Sequence, residues 1–269
     1  MKCSIFEIAR FVFGPLVIAA SLIPGPALAQ GGAPHEKLGS MDCPASHMPP
    51  LALPMVKQAL ATNSEITIVA LGSSSTQGWH STDIAHSYPA ILQEELSAAL
   101  PTAHVAVINR GVGGQDAPEM VPRLQADALA VRPSLVIWQL GANGAMKKQD
   151  PAVFRDLVAA GISTLQAAKV DVVLMDNQRA PFVLAAPDRA QFDQALSDAA
   201  ARTGVDLFSR GALMDQWQAE GHPYDQFIST DGVHHNNRGY RCLARALAGS
   251  ILDGLGLPPV TMHSALARR

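Results

Sequence analysis

Short runs of apolar residues alternate with longer stretches of helical periodicity over most of the chain. The apolar runs predict strands at residues 66–71, 105–108, 135–138, 170–175 and 205–208. Within each run the apolar side chains are nearly continuous rather than alternating, which is typical of strands buried on both faces. The pattern therefore predicts an α/β domain whose parallel sheet is covered by helices on both sides.

The stretches between the strands predict helices. Ile91, Leu92 and Leu96 recur at helical spacing within residues 88–100, and Pro151 suits the first turn of the helix after the third strand. Further helices are predicted around residues 117–130, and over 187–203 and 237–255. Because ligands bind outside the carboxyl ends of the strands in such sheets, the residues that follow each strand are the first candidates for a site.

The N-terminal segment departs from this pattern. Residues 1–29 are predicted to be a signal peptide, because an apolar run at 11–23 follows a weakly positive start and precedes a small-residue cleavage site near Ala29. The alternative is an uncleaved anchor, which the length of the run disfavours, since a membrane span needs about 20 apolar residues. We therefore expect a secreted or periplasmic protein with no stable membrane anchor after cleavage.

The composition indicates how the rest of the chain is organised. Residues 30–60 begin with a segment rich in Gly, Pro and Ser and predict an N-terminal arm, residues 61–256 form the domain, and residues 257–269 form a C-terminal tail. Hydrophobic residues make up 48% of the chain, which is enough for one sizeable core. Only 16% of residues are charged and the formal net charge is −3, which argues against nucleic acid as a partner.

Cysteine usage agrees with export. Cys3 belongs to the predicted signal peptide, so Cys43 and Cys242 remain in the mature chain. An even pair in an oxidising compartment predicts a disulfide between them. Two unpaired buried thiols are the alternative, because bonding depends on a geometry that the sequence does not contain.

Three residues suited to nucleophilic catalysis occur in the order Ser, Asp, His. Ser74 follows the first strand and opens a helical turn, while Asp231 and His234 are three residues apart and can face the same side of a turn. A serine hydroxyl becomes nucleophilic when an imidazole accepts its proton and a carboxylate orients that imidazole. Singly these residues also fit a polar turn or a helix cap, but their joint occurrence favours catalysis.

Two other strand ends offer donors for a developing oxyanion. Gly114 follows the second strand and presents a backbone N–H, and Asn143 follows the third strand and presents a side-chain amide. Together with the Ser74 N–H they form the predicted oxyanion hole, a tight turn or a cap being the alternative at each position. We expect His235 to face away from the site. Neither a catalytic metal nor a cofactor is predicted, because no cysteine pair or His-Glu-x-x-His helix accompanies the histidines.

These segments resemble the SGNH hydrolases, also called the GDSL esterase/lipase family. Residues 72–76 match the first family block and align the nucleophile with Ser74, and residues 141–143 match the third. The glycine of the second block falls on Gly114, with Gly113 as the alternative, and the last block matches Asp231 and His234. The resemblance covers about residues 64–250.

Two positions depart from the family pattern. Ser73 stands where the family has an aspartate, and Gly144 stands where many members have an aspartate after the asparagine. Neither departure removes a predicted catalytic atom. They bear on subfamily and substrate more than on the triad.

The resemblance implies a three-layer α/β/α sandwich, flavodoxin-like, with a parallel sheet of about five strands. It also implies a serine esterase, and predicted export together with the absence of a lid-like apolar insertion favours short acyl groups, acetyl above all, on a carbohydrate. The alternatives are an O-acyltransferase with the same site and a non-catalytic carbohydrate-binding domain. Trp79, Gln178 and Arg179 lie at strand ends and are predicted to contact the substrate, ordinary solvated loop residues being the alternative.

Overall fold

A computed structural model describes residues 43–257. The predicted signal peptide, residues 30–42 of the arm and residues 258–269 of the tail lie outside the described residues. Five strands form one sheet in the order β2-β1-β3-β4-β5. They are β1 (Ile66–Gly72), β2 (Val105–Gly111), β3 (Leu135–Gln139), β4 (Asp171–Met175) and β5 (Asp206–Phe208).

All neighbouring strands are parallel, and β1 pairs with β2 on one side and with β3 on the other. Val69 therefore has Ile108 and Val136 as its partners on the two sides. This order is the flavodoxin-like one, in which the chain reverses direction across the sheet between β1 and β3. The predicted fold class is confirmed, and the crevice at the carboxyl ends of β1 and β3 is the expected ligand site.

Helices cover both faces of the sheet. None of those in the described part of the chain is long and apolar enough to cross a membrane. The helices are α1 (Pro54–Ala61), α2 (Ser74–Gln77), α3 (Tyr88–Ala99), α4 (Ala117–Met120), α5 (Ala142–Met146), α6 (Pro151–Ala167), α7 (Pro181–Leu184), α8 (Arg189–Thr203), α9 (Arg210–Ala219) and α10 (Asn237–Leu255).

Two hydrophobic cores follow from the alternation of side chains along the strands. Ile68 and Ala70 of β1 belong to a core formed with α1, α3, α9 and α10, while Val69 and Leu71 belong to one formed with α6 and α8. Since successive strand residues point to opposite faces, each strand contributes to both cores. The sheet is thus the middle of three layers, and its strand ends are held rigidly from both sides.

Part of the predicted arm is an integral part of the domain. Leu53 and Val56 are buried in the first core, and α1 begins at Pro54, which the sequence pattern did not predict as a helix. The Asp171 carboxylate accepts hydrogen bonds from the backbone N–H groups of Met55 and Val56, both at 2.9 Å, and so satisfies the start of α1. The packed domain therefore extends N-terminally of the predicted boundary at residue 61.

The segment predicted as one helix around residues 117–130 is irregular. It consists of α4, then a 3₁₀ turn at Val121–Arg123, a π turn at Leu124–Ala128 and a second 3₁₀ turn at Leu129–Val131. Pro122 explains the break, because proline lacks the N–H that a continuous α-helix requires at that position. The apolar residues still face the sheet, so the spacing indicated burial correctly but not the regular helix.

Cys43 and Cys242 are joined by a disulfide, with an S–S distance of 2.10 Å and a Cα–Cα distance of 5.2 Å. The bond ties the segment before α1 to the middle of α10. It closes a loop across a sequence separation of 199 residues. A cross-link over so long a loop restricts the unfolded chain strongly, so it stabilises the domain that carries the site.

Candidate active site

The turn after β1 holds Ser74 at the start of α2. Gly72 is required there, because a Cβ at this position would lie 2.2 Å from the Thr76 Oγ1. The Ser73 N–H and hydroxyl both donate to the Gln139 Oε1 at 2.9 Å, which fixes the turn against β3. Gln139 thus steadies the nucleophile turn in the absence of the family aspartate at residue 73, a partner that the sequence pattern did not reveal.

Ser74, His234 and Asp231 lie in hydrogen-bonding contact. The Ser74 Oγ is 2.6 Å from the His234 Nε2, and the His234 Nδ1 is 2.5 Å from the Asp231 Oδ2. The other oxygen of Asp231 accepts from the backbone N–H groups of Val233 and His234, at 3.1 and 3.0 Å. Both carboxylate oxygens are therefore occupied by donors, and the imidazole has a fixed orientation toward the hydroxyl.

The pKa shifts suit a general base. Burial lowers the pKa of His234 below its usual value, and this effect outweighs the hydrogen bond and charge of Asp231, which raise it. Partial burial tends to raise the pKa of Asp231, but the hydrogen bonds from the ring and backbone of His234 outweigh it and lower that pKa. At neutral pH the pair is a neutral imidazole beside a carboxylate, the state that accepts a proton from serine.

His235 faces away from the triad, as predicted. Its side chain is fully buried and its Nδ1 lies 3.1 Å from the Phe227 carbonyl oxygen, to which it donates. Burial lowers the pKa of His235 to about 3, so this ring is neutral over the range in which His234 titrates.

The glycine turn after β2 presents one N–H to the cleft. The Gly113 N–H donates to the Gln77 Oε1 at 2.8 Å, so this N–H already has a hydrogen-bond acceptor within the protein. Gly114 has a φ of +77°, and a Cβ there would meet nothing within 4 Å, so open space lies beside it. Among the described residues no acceptor bonds the Gly114 N–H. Of the two glycines, Gly114 is therefore the one whose N–H can serve a ligand.

Asn143 lies beside this glycine turn. Its Nδ2 donates to the Gln115 carbonyl oxygen at 2.7 Å, which brings the amide next to Gly114. The Lys147 Nζ donates to the Gly114 carbonyl oxygen at 2.8 Å and binds the turn to the segment after α5. An amide nitrogen carries two hydrogens, so a second donor of Asn143 remains for an oxyanion. Gly144 has no room for a side chain, because a Cβ there would lie 2.6 Å from the Phe192 ring.

Trp79 and His80 follow α2 and border the triad. Trp79 is 49% exposed, and its ring centroid lies 5.7 Å from that of His234. The His80 ring stacks on His234 with centroids 5.3 Å apart and planes at 12°. Its Nε2 lies 3.2 Å from the Asp231 Oδ2. Substrate contact by Trp79 stays a prediction; the structure places its exposed ring beside the triad.

Gln178 and Arg179 do not line an open cleft, contrary to the prediction of substrate contact. Gln178 is 1% exposed, and its Nε2 donates to the Val233 carbonyl oxygen at 2.8 Å. The guanidinium of Arg179 is paired with Asp215, at 2.8 Å, and with Asp193, at 3.3 Å. Gln178 therefore holds the backbone of residues 231–234, the catalytic loop, whereas Arg179 is held against α8 and α9.

One group of side chains has the composition of a metal site. Single ligand atoms of His80, Asp231 and His234 lie within 4.8 Å of one another. However, both nitrogens of His234 are already engaged, one by Ser74 and the other by Asp231. A cation bound there would have to break the triad. The residues fit a hydrogen-bonded catalytic group better than a resident metal centre.

A cavity of about 470 Å³ lies elsewhere in the domain, between the segment before α1 and the helices α3 and α10. Its lining includes Glu95, Arg245 and Asp253 but none of the triad residues. The triad lies elsewhere, at the strand ends, where Trp79 is exposed beside His234.

Comparison with known proteins agrees with this fold. Residues 42–257 match the Non-GDSL lipase-like family. The comparison with curated proteins gave no significant match. A two-domain esterase active on acetylated mannans has a TM-score of 0.64 and 22% identity, covering 80% of this chain and 58% of that one. This chain thus spans little more than half the length of that esterase.

Two further solved structures match this chain over nearly their own full lengths. The lipase/acylhydrolase from Enterococcus faecalis has a TM-score of 0.61 and 22% identity, covering 73% of this chain and 99% of that one. A catalytic mutant of an acetylxylan esterase from Geobacillus stearothermophilus has a TM-score of 0.60 and 17% identity, covering 73% and 96%. These likenesses concern the fold, whereas the family match covers most of the sequence. The chain therefore belongs to the Non-GDSL lipase-like family.

Proposed function

We propose that this enzyme is exported and hydrolyses short-acyl esters, acetyl esters of carbohydrate above all, through an acyl-enzyme on Ser74. The observation that carries the proposal is the 2.6 Å contact between the Ser74 hydroxyl and an imidazole that Asp231 orients. The Cys43–Cys242 bond supports export, because disulfides persist in oxidising compartments. No cofactor takes part in the proposed reaction.

The first half-reaction forms the acyl-enzyme. The Ser74 Oγ attacks the acyl carbon while the His234 Nε2 accepts its proton, and Asp231 stabilises the imidazolium that forms. The oxyanion of the tetrahedral intermediate receives hydrogen bonds from the N–H groups of Ser74 and Gly114 and from the Asn143 amide. The imidazolium then gives its proton to the leaving alkoxide, and the alcohol departs.

The second half-reaction is the same chemistry with water. The His234 imidazole takes a proton from a water molecule, whose oxygen attacks the acyl carbon on Ser74. Collapse of the second tetrahedral intermediate releases the carboxylic acid and returns the proton to Ser74. A sugar hydroxyl in place of that water would make the enzyme an acyltransferase.

The surroundings of the triad support a carbohydrate substrate. Trp79 is exposed beside His234, and Phe182 is 62% exposed beside the catalytic loop, where its backbone N–H donates to the Gly232 carbonyl oxygen. Flat apolar rings at an open site suit the apolar faces of sugar rings better than a long acyl chain, which needs a tunnel or cavity. Two of the structures similar in fold act on acetylated mannans and acetylxylan by their names, which agrees with this substrate class.

A chain-length series tests this proposal. We expect kcat/KM to be highest for acetyl p-nitrophenyl ester and to fall steadily toward palmitoyl, because an open site offers long chains no enclosed surface. Release of acetate from acetylated mannan and xylan, measured with Ser74→Ala as the blank, should parallel the acetyl ester activity. A rate that climbs toward long chains, with no acetate released from either polymer, would refute the proposed substrate.

Replacement of Asn143 tests the oxyanion hole. We expect Asn143→Ala to lower kcat by about a hundredfold or more, the usual cost of one lost oxyanion donor, with KM changed little. Gln115→Ala keeps its carbonyl oxygen and serves as a control for disturbance of the same turn. Wild-type turnover of an acetyl ester by folded Asn143→Ala protein would exclude this amide from the site.

A further inference from the structure

One oxygen of Asp231 lies close to the nitrogens of two imidazoles. The Oδ2 lies 2.5 Å from the His234 Nδ1 and 3.2 Å from the His80 Nε2. An ionised carboxylate only accepts, so the nitrogen of His80 that faces it carries the hydrogen. The second imidazole thus faces the same oxygen that orients the first.

The tautomer of His80 is fixed from its other side. Its Nδ1 lies 3.1 Å from the Ser229 Oγ, and the hydroxyl donates to this nitrogen when the Nε2 bears the hydrogen. The same Ser229 oxygen lies 3.5 Å from the backbone nitrogen of Asp231. A series of polar contacts, none longer than 3.2 Å, therefore runs from Ser229 through His80, Asp231 and His234 to Ser74.

The backbone of His80 is held in an unfavourable conformation. Its φ is +64°, in the left-handed region that residues other than glycine rarely occupy. Two neighbours are anchored to α10: the Tyr240 hydroxyl donates to the Trp79 carbonyl oxygen at 2.8 Å, and the Thr82 N–H donates to the Asn237 Oδ1 at 3.0 Å. Strain of this kind persists only where the surroundings enforce it, and it is concentrated at functional sites.

We propose that His80 is a positioning residue for the triad, which holds the Asp231 carboxylate by donating from its Nε2 to the oxygen that faces His234. The proposal rests on the esterase function proposed above. His80 contacts no reacting atom; it acts through Asp231. Its donation limits rotation of the carboxylate and withdraws electron density from the oxygen that accepts from His234.

The charge environment of His234 gives the direction of a second effect. Burial is the largest cause of the lowered pKa of His234, and the charges of His80 and of the buried Arg210 on α9 lower it further. Asp231 acts in the opposite direction and raises this pKa. Loss of the His80 donor strengthens the bond between Asp231 and the imidazolium form of His234. The pKa of His234 should therefore rise when His80 is removed, and the acid limb of kcat/KM should move to higher pH.

Three variants of the exported, disulfide-intact protein test the proposal on an acetyl ester. For His80→Ala we expect kcat to fall roughly tenfold to a hundredfold, since displacement of a catalytic group by about 1 Å has effects of that size, with KM nearly unchanged and the acid limb displaced to higher pH. His80→Gln restores an N–H donor at a similar distance along the side chain, so it should recover most of kcat and return the limb toward wild type. His86→Gln is the matched control, because His86 lies in the same segment but bonds Asp83, at 2.8 Å.

The outcomes distinguish a positioning role of His80 from a role in packing alone. Wild-type kcat and an unmoved acid limb in folded His80→Ala would overturn the proposal, as would a loss that His80→Gln does not recover. If His80→Ala fails to fold, His80→Gln against wild type decides by the same two readouts. Titration of the His234 ring by NMR, assigned with His234→Gln, gives its pKa without any turnover. A pKa that rises in His80→Ala supports the positioning role even if esterase activity is absent from the wild type, which would refute only the proposed function.

Discussion

Ser74→Ala is expected to reduce ester hydrolysis by about 10⁴-fold or more, because Ser74 supplies the oxygen that the proposed acyl-enzyme requires. The Oγ of this residue makes the 2.6 Å contact with the His234 Nε2. Folding should be unaffected, since the change removes one small polar atom. Initial rates on an acetyl ester and labelling by a serine-directed fluorophosphonate measure the effect, and we expect labelling to disappear in this variant.

The neighbouring serines are the matched controls. Ser73→Ala loses a hydroxyl that donates to Gln139, so we expect a modest fall in rate with labelling retained. Ser75→Ala, changed in the same helical turn, should remain close to wild type. If Ser74→Ala kept its activity while either neighbour was inactive, the nucleophile would be assigned to the wrong residue of the turn.

The parallel sheet was predictable because its strands carry a strong local signal. Leu135 to Trp138 on β3 are all fully buried, so an unbroken apolar run marks the strand without any knowledge of its partners. The helices α6 and α10 likewise carry long periodic faces. The resemblance to a known family then supplied the flavodoxin-like arrangement, which local periodicity alone does not determine.

Other elements had no comparable local signal. The helix α1 is eight residues long, too short for a period to be recognised, and it is stabilised largely by packing and by the distant Asp171. The buried face of α9 includes Arg210 and Gly211, so its pattern does not read as apolar. Both helices exist because of tertiary contacts, which sequence periodicity does not represent.

The candidate site likewise contains residues that the sequence predicted and contacts that it did not. Ser74, Asp231 and His234 were predicted because their types and order match a chemical requirement and a family pattern. The contacts of Gln139 with Ser73 and of His80 with Asp231 were not predicted, since each joins residues more than 60 positions apart in the sequence through a single oxygen. Gln178 was assigned to the cleft from its strand-end position, but the direction of its side chain depends on the packing of α9, which the sequence did not predict.

Asp231→Asn is expected to lower kcat by about 10³- to 10⁴-fold, because the imidazole then loses the acceptor that fixes its tautomer. Four nitrogens surround the carboxylate. One oxygen accepts from two backbone N–H groups, and the other faces the His234 and His80 rings, at 2.5 and 3.2 Å. An asparagine must place its NH₂ group against one of these pairs. If the NH₂ group faces the backbone N–H groups, the turn at residues 231–234 is disturbed. If it faces the rings, the unprotonated nitrogen of His234 accepts from the amide and is no longer available as the base for Ser74.

The pH dependence of the rate distinguishes a disturbed turn from a changed tautomer of His234. If the tautomer is the cause, folded Asp231→Asn protein should regain part of its rate at high pH, where hydroxide replaces the general base, while KM stays near wild type. Asp225→Asn is the control, since it removes a carboxylate that is exposed and close in sequence to the catalytic loop. Turnover by Asp231→Asn within a few-fold of wild type at neutral pH would show that His234 does not depend on this carboxylate, and would remove the basis for assigning His80 a role through it.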